Sequence, residues 1–142
     1  MAEGQSWRPI SLPVYLVESI GAPNNHHAIF VLTNKKDGSG YKFHVKGSIQ
    51  LGMLYEAAEH HRPEDSPEYL GKSCLGWVDV IDYPRVNDIC TNVPPPRKQF
   101  HGAKRLYPKE PLRRCQEWVK EATQALESNG VLHRSSPIVE AP

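Results

Sequence analysis

Two β-forming segments joined by a short polar reversal constrain this chain more than any other feature. Residues 26–33 (His-His-Ala-Ile-Phe-Val-Leu-Thr) are almost continuously apolar, 34–40 are polar with two glycines, and 41–47 alternate apolar with polar residues. This is the pattern of a β-hairpin. Its second strand turns Tyr41, Phe43 and Val45 to one face and Lys42, His44 and Lys46 to the other. Residues 13–20 form a preceding strand that closes on a turn at 21–25, and further strands are expected at 49–55 and 75–81. The helical period of 3.6 is clear only late, where Leu112, Cys115, Trp118, Val119, Ala122 and Leu126 share one face between Pro111 and Asn129-Gly130. Strands first and one main helix last predict an α+β fold: an antiparallel β-sheet or partial barrel packed on a late helix that carries a cysteine.

The remaining stretches read as connections. Residues 57–73 are polar and are expected to be loop or a short helical turn. Residues 82–108, with Pro94-Pro95-Pro96, read as an irregular crossing stiffened by proline. One domain over 13–132, with short tails 1–12 and 133–142, accounts for 142 residues. The formal charge is +1 and no basic stripe is present, which argues against a nucleic-acid partner. No apolar run reaches the length of a membrane span, and the first eight residues lack a signal-peptide core. Three cysteines, at 74, 90 and 115, form no CxxC pair, so a zinc site of the usual spacing is not expected. Their odd number suits a reduced, cytoplasmic protein.

Cys115 is the residue with chemical promise. It falls near the start of the helix, beside Arg113 and Arg114, and both influences favour a thiolate, the reactive form. A thiol nucleophile needs an imidazole to take its proton and a further group to orient that imidazole. His26 or His27, at the start of one hairpin strand, and His44, on its partner, can become neighbours across the reversal. A metal site through His26, His27 and His44 lacks a carboxylate to complete it, and His60-His61 reads as a solvated loop pair. Neither metal nor cofactor is expected.

The order His, His, Cys also resembles a known superfamily. His26-His27-Ala28-Ile29-Phe30-Val31, then Phe43-His44-Val45 on the next strand, is similar to the paired-strand signature of the NlpC-type papain-like proteins. In the circularly permuted branch, which includes the lecithin:retinol acyltransferase-like proteins, the cysteine follows at the start of a helix. Arg114-Cys115-Gln116-Glu117-Trp118-Val119 looks like that Cys box, with Arg114 where an Asn commonly stands. The resemblance covers 14–55 and 111–127. It implies a papain-like thiol hydrolase or acyltransferase acting on an amide, ester or thioester of a small-molecule, acyl or peptidyl substrate. With Ala28 in the small-residue position, it makes His26 the general base and His27 the fallback, with His44 as the orienting group. The backbone amide of Cys115 would meet the oxyanion, with Tyr15 a candidate second donor and Gln99 and Gln116 others. A permuted isopeptidase for ubiquitin-like modifiers, or a non-catalytic binding module on the same fold, are the alternatives.

Overall fold

The computed structural model describes residues 10–21 and 24–134. Five strands, β1 (Ser11–Ser19), β2 (His26–Asn34), β3 (Ser39–Ser48), β4 (Gly52–His60) and β5 (Tyr69–Asp79), form one antiparallel sheet in the order β4-β3-β2-β1-β5. The first four make a meander, and β5 returns to pair with β1. Helix α1 (Pro84–Thr91) follows, then a minimal hairpin of β6 (Phe100–His101) and β7 (Lys104–Arg105), and finally α2 (Cys115–Ser128). The α+β class, the antiparallel sheet and the late cysteine-bearing helix are as the sequence implies.

Three expectations need correction. First, β4 runs on to His60 and β5 begins at Tyr69, so most of 57–73 is strand, with a single 3-10 turn at Pro63–Asp65. Polar side chains there concealed the strands, because both are outer strands of the sheet and expose much of their surface. Second, the crossing at 82–108 contains a helix. Only Val86 and Cys90 of its eight residues are buried, one i,i+4 pair and too short a repeat to recognise. Third, α2 starts at Cys115 and not at Pro111. Arg114 is extended (φ −123°, ψ −171°), and the Glu117 carboxylate accepts its backbone N–H at 2.7 Å. The preceding main chain is clamped by the buried Gln99, which accepts from the Arg113 N–H at 2.8 Å and donates to the Arg113 carbonyl at 2.7 Å. Those bonds hold the segment extended and put the first helical turn at the thiol itself.

The domain edges also extend slightly past the expected limits: β1 begins at Ser11, and His133 bridges to Trp77 of β5. Tails 1–9 and 135–142 lie outside the described residues. No helix among the described residues is long and apolar enough to cross a membrane.

The core lies between the sheet and α2. Val14, Ile29, Val31, Phe43 and Val45 meet Trp118, Val119, Ala122 and Leu126, all at 4% exposure or less. Trp118 has no exposed surface, its ring centroid is 5.6 Å from that of Tyr55, and its indole N–H donates to the Val93 carbonyl at 3.0 Å. At the far end of α2, Asn129 caps the helix and Gly130 turns the chain with φ of 72°, as the Asn-Gly signal implies.

Candidate active site

Strand alternation divides the histidines. In β2, Ile29 and Val31 belong to the core against α2, so His27 shares their face and His26 lies on the other, with Ala28 and Phe30. His44 of β3 is on the same side as His26. That side looks polar in sequence, yet His44 is only 4% exposed.

The two rings bond directly: His26 Nε2 lies 2.8 Å from His44 Nδ1, with the rings edge to face at a centroid separation of 5.0 Å. His44 Nε2 in turn lies 2.9 Å from Glu56 Oε1. Glu56 is the residue that sequence reasoning missed. It sits directly opposite His44 in the β3–β4 register, one residue beyond the strand expected at 49–55. The signal was available: a tight turn centred on residue 50 pairs position 44 with position 56.

Glu56 sets the direction of the whole line. His44 holds its carboxyl below the usual carboxylate range, so it is ionised and can only accept. His44 Nε2 therefore carries the proton, its Nδ1 accepts, and His26 Nε2–H donates to it. Neutral His26 is left with a bare lone pair on Nδ1. Lys46 Nζ, 3.5 Å from the same carboxylate oxygen, reinforces its charge.

Cys115 meets the main chain around His26 at the start of β2. Its Sγ lies 3.5 Å from the His27 amide nitrogen and 3.9 Å from the Asn25 carbonyl oxygen, against the backbone on both sides of His26. Cys115 and His26 line one cavity of about 210 Å³, together with Ile49, Met53, Arg114 and Gln116 among others. The structure thus bonds His26 to His44, 18 positions apart, and places His26 with Cys115, 89 positions apart, on the lining of one cavity, of which His44 is not a part. The fallback His27 contributes its backbone amide, while its ring turns to Glu18 at 3.7 Å.

Other expected members lie elsewhere. Tyr15 does not line the cavity; it lies mid-strand between Phe30 and Cys74, with Lys72 Nζ 4.3 Å from its ring centroid. Gln99 is occupied by the Arg113 main chain. Gln116 lines the cavity, and its carboxamide donates to the Asn25 carbonyl. His60 and His61 stand 4.4 Å apart, ring to ring, at the end of β4 and in the turn beyond. Among the described residues no three His, Cys, Asp or Glu side chains are placed to hold a metal ion.

The expected thiolate is also corrected. Burial pushes the Cys115 thiol up, opposed by the amides of His27, Cys115 and Gln116. Arg113 does not help the sulfur, because its guanidinium is paired with Glu121 at 2.6 Å. Burial, followed by the neighbouring His44, lowers His26 to about 4. At neutral pH burial thus leaves Cys115 as the thiol and His26 as the neutral imidazole.

This has a thermodynamic consequence. His26 and His60 both fall from 6.5 to about 4, chiefly through burial. Between those values the unfolded chain takes up protons that the folded chain refuses, so stability falls as pH drops through this window and the loss is complete below about 4. Each shift is worth about 3 kcal/mol at full burial, and less at these partly exposed rings. Unfolding free energies from urea titrations at pH 7 and pH 4 are expected to differ by roughly 2 kcal/mol, and His60→Asn should reduce that difference.

Comparison with known proteins adds a family but no activity. Residues 14–133 match the model of a family described as "Family of unknown function (DUF6540)". No curated protein and no solved structure matches the chain.

Proposed function

The chain belongs to the DUF6540 family of unknown function, and from that premise we propose that it is a thiol hydrolase or acyltransferase of permuted papain-like type. The observation that carries this reading is the bonded line Glu56–His44–His26, which ends at a cavity shared with the Cys115 thiol. Cys115 is the nucleophile, His26 the general base, His44 the group that orients it, and Glu56 the residue that fixes both tautomers.

In the reaction, Sγ attacks the carbonyl carbon of an amide, ester or thioester while His26 Nδ1 takes the thiol proton. A neutral, low-pKa imidazole cannot hold a standing thiolate, so proton transfer accompanies the attack. The imidazolium that forms keeps its Nε2–H on His44, and the charge is offset by Glu56 through the same line. The developing oxyanion meets the Cys115 amide, free at the first turn of α2, with the Gln116 carboxamide as the second donor in place of Tyr15. His26 returns the proton to the leaving group, and water or another acceptor resolves the thioester. Free cysteines at 74, 90 and 115 suit a reducing, cytoplasmic setting.

The test is a direct search for the intermediate. Incubation with 4-nitrophenyl acetate, followed by acid quench and peptide mass mapping, should find an acetyl group on Cys115. Cys115→Ser should lack the thioester and its burst of nitrophenolate. Acetylation confined to lysines and Cys74 would leave a binding module on this fold as the better account.

A further inference from the structure

The arginine that stands where the resembling family commonly has Asn is set apart by its lack of a partner. Seven arginines lie among the described residues. Arg62, Arg85, Arg97, Arg113 and Arg134 each have a carboxylate oxygen within 3.6 Å. Arg105 donates to the main-chain carbonyl of Glu110 at 2.6 Å. Arg114 alone has neither ion pair nor hydrogen bond for its guanidinium among these residues. It is nevertheless half-buried, and it lines the cavity immediately beside Cys115. Glu117, three residues on, is turned to the Arg114 backbone N–H and leaves the guanidinium free.

The cavity itself offers that charge no balance. Its lining includes no Asp or Glu, and its remaining polar groups are amides, a hydroxyl, an imidazole and the thiol. Ile49 and Met53 supply an apolar wall. A guanidinium without a counter-charge favours an anion, and its planar fork suits a carboxylate or phosphate in two parallel bonds. Arg114 and Cys115 line the same cavity, so an anion held by Arg114 and a carbonyl carbon at Sγ can belong to one bound molecule.

We infer that Arg114 forms an anion subsite, and that the acyl compound this cavity takes carries a carboxylate or phosphate close to the scissile carbonyl, with an apolar group toward Ile49 and Met53. The inference rests on the thiol reading above for the carbonyl. The anion subsite itself is measurable without turnover.

Two alkylating reagents of nearly equal size provide the measurement: iodoacetate, which is anionic, and iodoacetamide, which is neutral. The iodoacetate-to-iodoacetamide rate ratio at Cys115 is read by mass mapping, with exposed Cys74 on the same chain as internal reference. The ratio at Cys115 is expected to exceed that at Cys74 by about tenfold, to collapse to the Cys74 value in Arg114→Gln, and to persist in part in Arg114→Lys. Protection of Cys115 by acetate but not inorganic phosphate would assign a carboxylate, and the reverse a phosphate. An equal ratio in the native chain and Arg114→Gln overturns the proposal. If neither reagent reaches Cys115, phosphate and acetate titrations followed through the Cys115 and Gln116 amide resonances decide. Saturable shifts lost in Arg114→Gln support the subsite, and their absence from the native chain overturns it. A reagent bias without an acetyl-Cys115 intermediate leaves a subsite without catalysis; the intermediate without the bias removes the subsite alone.

Discussion

His26→Ala is expected to slow acetylation of Cys115 by about a thousandfold at pH 7, within the range that a positioned general base contributes. The effect is large because burial holds the thiol mostly protonated, so no standing thiolate can carry the reaction when the base is gone. Stopped-flow release of nitrophenolate reads the rate, and unchanged far-ultraviolet dichroism shows that the fold is kept. Exogenous imidazole should restore part of the loss, because the cavity then has room for a ring. His44→Ala should cost less, since His44 orients and polarises without entering the bonds that change. Glu56→Ala should cost least but leave a distinct mark: without the carboxylate, nothing dictates which nitrogen of His44 carries its proton. Nitrogen-15 spectra of the imidazoles should then change from a single His26 tautomer to a mixture. An acetylation rate untouched by His26→Ala would end the general-base assignment.

Trp118→Ala is the second large effect, on stability instead of chemistry. Trp118 is fully buried in the first turn of α2, against Tyr55 of β4, with its N–H bonded to the Val93 carbonyl. Removing so large a ring costs about 3–5 kcal/mol in a core that cannot close the void, and the Val93 carbonyl loses its donor as well. A domain of this size has about 5–15 kcal/mol in total, so a large share of the native population is at stake. Urea unfolding should show a lower midpoint with an unchanged slope. Trp118→Phe, which keeps an aromatic ring but not the N–H, should recover more than half of the loss.

These residues also show what could be read without coordinates. The helical face of Cys115, Trp118, Val119, Ala122 and Leu126 was legible because a 3.6 period over four turns has few competitors. The meeting of His26 with His44 was legible because a hairpin brings its strands together wherever its loop is recognised. Glu56 was harder to reach, because it requires the register of the next hairpin, and the strand read at 49–55 stopped one residue short of it. The protonation state of Cys115 was misjudged for a different reason. Arg113 and Arg114 look alike in sequence, yet one is bound to Glu121 and the other faces the cavity, and neither offsets the burial of the sulfur. Charges adjacent along a chain affect a thiol only where side chains turn to it, and that is a property of the folded surface.

The bridge between Trp77 and His133 bears on how this molecule behaves in company. Trp77 N–H donates to the His133 carbonyl at 3.0 Å, His133 N–H returns a bond at 2.9 Å, and the two rings stack 4.4 Å apart. Gly76 makes the approach possible: a Cβ there would fall 2.1 Å from the His133 carbonyl oxygen, and its φ of +148° is one that other residues rarely adopt. An outermost strand with idle amides is an invitation to a neighbouring molecule to extend the sheet. Here the chain folds back on its own β5 at that point, so part of the open margin is already occupied from within. Any side chain at position 76 would push this cover away and turn a closed margin into a place where copies could stack, changing the protein's solubility without touching its cavity.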